Sequence, residues 1–359
     1  MRTGRRALGL LSIAVALAGG GCRRAEPQPG STPPAEAYRE AAEALSEAIR
    51  YELEDKSIPA ISIALVDGQE VVWAQGFGME DPESKRPATA ATIYRAGSIS
   101  KLLTDIAVMQ KVEKGELDPD APVTTYLPGF QPRNPFGKPI TLRQLMTHRS
   151  GLVREPPAGH YFDDSGTSLR QTVESLNDTA LVYAPETRIK YSNAGVAVAG
   201  YVLEHGTGTP FAEHVRDRVL KPLGMNASFF GAPGPGGAGL AKARMWTYSH
   251  TFFPAPTFEL GMSPAGSLYS SAEDLAQFLK VIFAEGRGPS GPVLQPETLA
   301  LMMQPQYPGT VAGSRNFGLG FSLGDLDGRP VAGHGGAIYG FASELLLLPR
   351  EQLGVVVLA

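Results

Sequence analysis

Two stretches at opposite ends of this 359-residue chain constrain it most. "AISIALVDGQEVVWAQGFG" (60–78) holds two β-branched runs around Asp67-Gly68, the turn chemistry of a hairpin, and "ASELLLLPREQLGVVVLA" (342–359) holds a second pair of runs around a short polar turn. Between them, residues 98–114, 141–148, 168–177, 194–206, 210–221 and 271–285 are helical by period or by start signals. Ser271 followed by Asp274 resembles a capping box with Asp in the place of Glu or Gln. Tyr38, Ala41, Ala42, Leu45, Ala48 and Ile49 give a further helix ahead of the first strands, with one face packed inward. Strands at both ends with helices between predict an α+β fold, one antiparallel sheet built from both chain ends with an all-helical region inserted at roughly 98–290. No repeat is visible, and "GAPGPGGAG" at 231–239 is a loop.

The N-terminus is outside this pattern. Arg2, Arg5 and Arg6 precede the apolar run "ALGLLSIAVALAG", too short for a permanent span, so residues 1–21 are expected to be a cleaved signal peptide. Cys22, the single cysteine, follows in "LAGGGC", which resembles a lipobox except that Gly19 stands where a larger aliphatic residue is usual. Cys22 is thus expected to be lipidated, making membrane the partner of an exported, periplasmic lipoprotein; the alternative is a plain signal peptide with an incidental cysteine. One cysteine forms no intrachain disulfide. Residues 22–36 are Pro-rich and read as a tether, with the folded domain at 37–359. The net charge of −4, with Lys and Arg scattered among acids, gives no footprint for nucleic acid.

"YRAGSISKLL" (94–103) places Ser98 and Lys101 three apart, on one helix face with Asp105. They are either a nucleophile and its base or a solvated stripe above buried Ile99, Leu102, Leu103 and Ile106. A serine hydroxyl needs an adjacent base, and a lysine serves only if desolvation or a nearby cation lowers its pKa from about 10.4. "IKYSNAG" adds Tyr191 and Asn193, and "GHGGAIYGF" adds His334, Gly335 and Gly336 immediately before an apolar strand. His148, His160, His205, His214 and His250 show no ligand spacing, so neither metal nor cofactor is expected. Met262, Phe252, Phe253 and Tyr269 are candidates for the pocket lining, although such residues are more often core.

The S-x-x-K, Y-x-N and H-G-G motifs, in this order, resemble the signature of the serine β-lactamase and penicillin-binding-protein superfamily, in its class C β-lactamase, D,D-peptidase and esterase branch. "DAPVTTYLPGF" (120–130), "ITLRQLMTHRSGL" (140–152) and "SPAGSLYSSAEDLAQFL" (263–279) resemble segments of the same family, so the likeness covers about 37–359. It implies the β-lactamase/transpeptidase-like fold and a serine hydrolase that passes through a Ser98 acyl-enzyme, with Lys101 and Tyr191 as the acid-base pair. It also implies that Asn193 holds Lys101 or the substrate amide, and that the N–H groups of Ser98 and Ala337 form an oxyanion hole on a strand kept accessible by Gly335 and Gly336.

There are two departures from the family. His334 replaces the lysine of K-T-G, and a neutral imidazole is a weaker anchor for a substrate carboxylate, so uncharged esters or amides are expected to serve at least as well as β-lactams. The chain also stops inside an apolar strand where the family continues, so a fragment or an exposed sheet edge is expected. The small-molecule or peptide substrate stays open between esters, amides and D-amino-acid peptides. The rivals are a true class C-like β-lactamase, a D,D-carboxypeptidase or endopeptidase on peptidoglycan, and a non-catalytic scaffold on the same fold.

Overall fold

The computed structural model describes residues 31–232, 239–247, 249, 251–307 and 316–359. The expected signal peptide, Cys22 and most of the expected tether lie outside the described residues, as does most of the 231–239 loop. After a 3-10 turn (Glu36–Tyr38) come helix α1 (Arg39–Asp55), the hairpin β1 (Ala60–Asp67) and β2 (Glu70–Asp81), and the short strands β3 (Arg86–Pro87) and β4 (Tyr94–Gly97). The middle carries α2 (Ser100–Glu113), α3 (Leu142–Met146), α4 (Leu169–Glu174), α5 (Asn193–Thr207), α6 (Phe211–Val215) and α7 (Lys221–Leu223). Then follow β5 (Phe229–Phe230), β6 (Arg244–Trp246), β7 (Phe252–Pro254), α8 (Ser263–Gly266), β8 (Leu268–Ser270) and α9 (Ala272–Phe283). A strand pair, β9 (Arg287–Gly288) and β10 (Gly291–Pro292), leads to α10 (Pro296–Met302) and five last strands. These are β11 (Asn316–Phe317), β12 (Ser322–Leu326), β13 (Arg329–Ile338), β14 (Phe341–Leu348) and β15 (Leu353–Leu358).

One antiparallel sheet joins the two chain ends, in the order β11-β12-β13-β14-β15-β1-β2-β3. Strand β15 lies in its interior, with Ile63 opposite Val357 on one side and Leu345 opposite Val356 on the other. The expected exposed edge is therefore absent: β15 has neighbours on both sides and its ladder groups are paired. Alternation along β1 sends Ala64 and Val66 to the main core and Ile61, Ile63 and Leu65 to the other face. There α1 lays Ala42 and Ile49 over them beside Trp73 and Phe77. Burial of an isoleucine or phenylalanine side chain contributes about 1.5–3 kcal/mol, and this apolar contact holds α1 to the sheet.

Four other expectations change. The first turn uses Gly68-Gln69, because Asp67 already pairs with Glu70. Residues 32–35 are not a free tether: Thr32 exchanges backbone hydrogen bonds with Ala74, and the N–H of Ala35 donates to Val72 O. The inserted region is not all helical, since β5 and β8 within it form a small sheet with β4, and β6 pairs with β7. Ser271 does accept from Asp274 N (3.1 Å), but Asp274 does not reach back to close a box. Its Oδ2 instead accepts from Ala227 N (2.9 Å) and Ser228 Oγ (2.7 Å), pinning the chain ahead of β5 to α9.

Candidate active site

The turn between β4 and α2 is built by close backbone approach. Gly97 has φ +52°, and a Cβ there would stand 2.9 Å from Ala337 N, so glycine alone fits. Ser100 fixes the turn from below: its Oγ donates to Gly97 O (2.5 Å) and accepts from Leu268 N (2.9 Å). Ser98 is thereby held at the start of α2 and lines a cavity of about 1290 Å³.

Lys101 lies one helical turn on, 1% exposed, and its Nζ donates to Ser98 Oγ (3.0 Å) and Ala265 O (2.6 Å). Burial among Ile99, Leu102 and Leu103 pushes its pKa down to about 7, against the opposing pull of Glu155 and Asp105. Asp105 is fully buried, neither carboxylate oxygen has a hydrogen-bond partner, and desolvation raises its pKa well above the carboxylate range. The solvated-stripe alternative for Ser98, Lys101 and Asp105 is excluded by this burial.

Tyr191 and Asn193 flank Ser192, the N-cap of α5. The Ser192 Oγ accepts from Gly195 N (2.9 Å) and donates to Val153 O (2.7 Å), which sets the entry of that helix. The Tyr191 ring then lies over Lys101, with Nζ 5.0 Å from its centroid. Asn193 does not hold Lys101: its Nδ2 donates to both oxygens of Glu155, at 2.8 and 3.1 Å. The reason is packing, because Lys101 is already engaged by Ser98 and Ala265 while Glu155 is half-buried beside Asn193 and needs donors.

On the sheet side, His334, Gly335 and Gly336 lie inside β13 rather than before a strand. The backbone N–H and C=O of Ala342 pair with Ala359, one residue past β15, so Ala337, opposite Ala342, forms a non-hydrogen-bonded pair. The N–H of Ala337 therefore points away from β14, its nitrogen lying close to Gly97, and the N–H of Ser98 makes no hydrogen bond to a described residue. Gly336 permits the approach, since a Cβ would stand 2.2 Å from Ala96 O and 2.9 Å from Ser98 N. Ser343 ties the strands together by donating to Ala96 O (2.8 Å). His334 lines the cavity but is only 6% exposed, and its Nδ1 meets Gly335 O at 2.6 Å. A carbonyl only accepts, so Nδ1 carries the proton.

Ser98, Lys101, Tyr191, His334, Gly335, Gly336 and Ala337 are thus brought to one cleft, with Asn193 behind it. Sequence reading passed over four further residues there. His148, for which the sequence favours a structural or exposed place over a metal ligand, sits at φ +58° with its ring 4.2 Å from that of Tyr191, and its Nδ1 accepts from Ser192 N (3.2 Å). Burial holds its pKa well below 6.5, so the ring is a neutral brace for Tyr191. Phe317 packs edge-on against His148 (4.7 Å). Arg154 and Glu155 follow "ITLRQLMTHRSGL" after Val153, and only their charge, three and four residues beyond Gly151, marks them. Of the aromatic and Met candidates for the lining, Met262 and Tyr269 are core, and Phe252 and Phe253 are exposed on β7.

A sequence model of the family described as Beta-lactamase matches residues 45–359. Esterase EstB of Burkholderia gladioli is 32% identical over 316 residues, 78% of each chain. Penicillin-binding protein 4 of Amycolatopsis lactamdurans is 29% identical over 75% of this chain and 71% of its own. Among solved structures, the octameric penicillin-binding protein homologue from Pyrococcus abyssi superposes with a TM-score of 0.79 at 28% identity, covering 88% of this chain and 73% of that one.

Proposed function

Because the chain belongs to the Beta-lactamase family and is a serine hydrolase, we propose that it hydrolyses esters, and amides or D-amino-acid peptides of similar shape, through an acyl-enzyme on Ser98. The observation that carries this reading is the 3.0 Å contact between Lys101 Nζ and Ser98 Oγ, made by a lysine whose burial brings its pKa to about 7. Neutral Lys101 takes the Ser98 proton as Oγ attacks the acyl carbon. The N–H groups of Ser98 and Ala337 receive the oxyanion. When the tetrahedral species collapses, the bond to the leaving group breaks, and Tyr191 relays the proton from Lys101 to the departing oxygen or nitrogen. Water then attacks the acyl-enzyme, giving its proton back through the same pair and freeing Ser98. An ester is favoured over a β-lactam by His334, whose Nδ1 is committed to Gly335 O and which supplies no lysine charge. The 32% identity to an esterase supports the same preference.

A fluorophosphonate probe should add one phosphonyl group per chain, on the peptide holding Ser98, and short 4-nitrophenyl esters should turn over. Labelling by fluorescent penicillin with no ester turnover would replace this reading with the penicillin-binding one. No labelling by either probe would leave a scaffold.

The proposal extends to export and to a lipid on Cys22, supported by the Arg-rich start, the apolar run and "LAGGGC". Labelled palmitate should be incorporated in a Gram-negative host, and Cys22→Ser should lose it and leave the membrane fraction. Normal export without label would remove the anchor from the proposal.

A further inference from the structure

We infer that Arg154 is the substrate-carboxylate anchor of this cleft and that the enzyme prefers esters carrying a carboxylate away from the scissile bond. This rests on the hydrolase reading above and deepens it. The lysine of K-T-G is missing, and His334 is buried with Nδ1 bonded to Gly335 O. Lys101 is buried and committed to Ser98 and Ala265. Among the described residues, Arg154 is the one Lys or Arg that lines the cavity.

Its geometry suits an anchor. The Nε end is held by Glu155 Oε1 at 3.2 Å, and Glu155 is itself held by the two hydrogen bonds from Asn193. The guanidinium carbon rests 5.2 Å from the centroid of the Tyr191 ring, a cation–π contact that orients the plane. Neither Nη group makes a hydrogen bond to a described residue, and the side chain is 60% exposed. A permanently charged fork of N–H donors, fixed at its Nε end and open at the other, matches a carboxylate bidentately. Of the acids lining the same cavity, Asp325 lies on β12 and Glu344 on β14, both on the sheet, whereas Arg154 lies on the α5 side with Tyr191. Opposite charges on opposite walls orient an anionic substrate with its carboxylate toward α5.

The test uses two matched pairs of esters. In one the carboxylate is on the acyl side (mono-4-nitrophenyl adipate against 4-nitrophenyl hexanoate), and in the other on the alcohol side (4-acetoxybenzoate against its methyl ester). In Arg154→Gln, the kcat/KM ratio of anionic to neutral ester should fall about tenfold in at least one pair, mainly through KM, and Arg154→Lys should recover part of it. Raising salt should erode the ratio in the wild type and not in Arg154→Gln. Any general effect of Arg154 on Lys101 acts on both members of a pair and cancels. Neutral-ester turnover and fluorophosphonate labelling report separately on the hydrolase reading and on folding. Ratios unmoved in both pairs, with neutral turnover retained, would overturn Arg154 alone; absence of neutral turnover and labelling in the wild type would overturn the underlying reading.

Discussion

Ser98→Ala is expected to lower kcat/KM by at least about 10⁴ and to abolish covalent labelling, while the protein keeps its fold. The size follows from the role: with the hydroxyl gone no acyl-enzyme forms, and the two N–H donors can only bind substrate. The small structural effect follows from the contacts. Ser98 is 8% exposed and its Oγ is bonded to Lys101 Nζ, which keeps its 2.6 Å bond to Ala265 O in the variant. Ser100, not Ser98, pins the turn. Intact-mass analysis after probe treatment, beside a thermal melt, reads both halves. Full labelling of the alanine variant, mapped to another serine, would sink the assignment.

What the sequence revealed and what it hid divides by the range of the forces involved. Hairpins at the ends and amphipathic helices between them are written in periods of 2 and 3.6, and those elements appear where the periods place them. β13 escaped because "AGHGGA" has no alternation of large apolar side chains; glycines there let the strand graze Ala96 and Ser98, which is a tertiary demand. The interior place of β15 depends on pairing with β1, nearly the whole chain away, and no local pattern announces it. The three motifs were legible because each is a short run of unusual residues. Arg154 was not, since an arginine beside a glutamate reads as a surface pair until the fold sets it against Tyr191. Asp105 shows the opposite failure: helix spacing put it correctly on the face of Lys101, yet only the structure shows that face buried.

Lys101 is where stability and chemistry are expected to oppose each other. Lys101→Arg keeps a cation in place but cannot lose its proton, so acylation should fall by at least about 10². In the wild type, kcat/KM should rise with pH through about 7 and then level, because only the neutral amine accepts the Ser98 proton. Glu155 and Asp105 raise the pKa of Lys101 and Arg154 lowers it, so Glu155→Gln should move this limb to lower pH and Arg154→Gln to higher pH. The same shift governs folding. The folded pKa of about 7 lies below the ordinary lysine value of 10.5, so the penalty for burying Lys101 is fully present below pH 7 and fades as pH rises toward 10.5. At pH 7 that penalty is roughly 4 kcal/mol, partly offset in any apolar replacement by the about 1–3 kcal/mol lost when Ala265 O is left unpaired. Lys101→Met should therefore be inactive yet melt at a higher temperature than the wild type near pH 7, with the advantage shrinking toward pH 10. Near wild-type turnover in Lys101→Arg, or a flat pH profile, would make Lys101 a structural cation and leave Ser98 without its base.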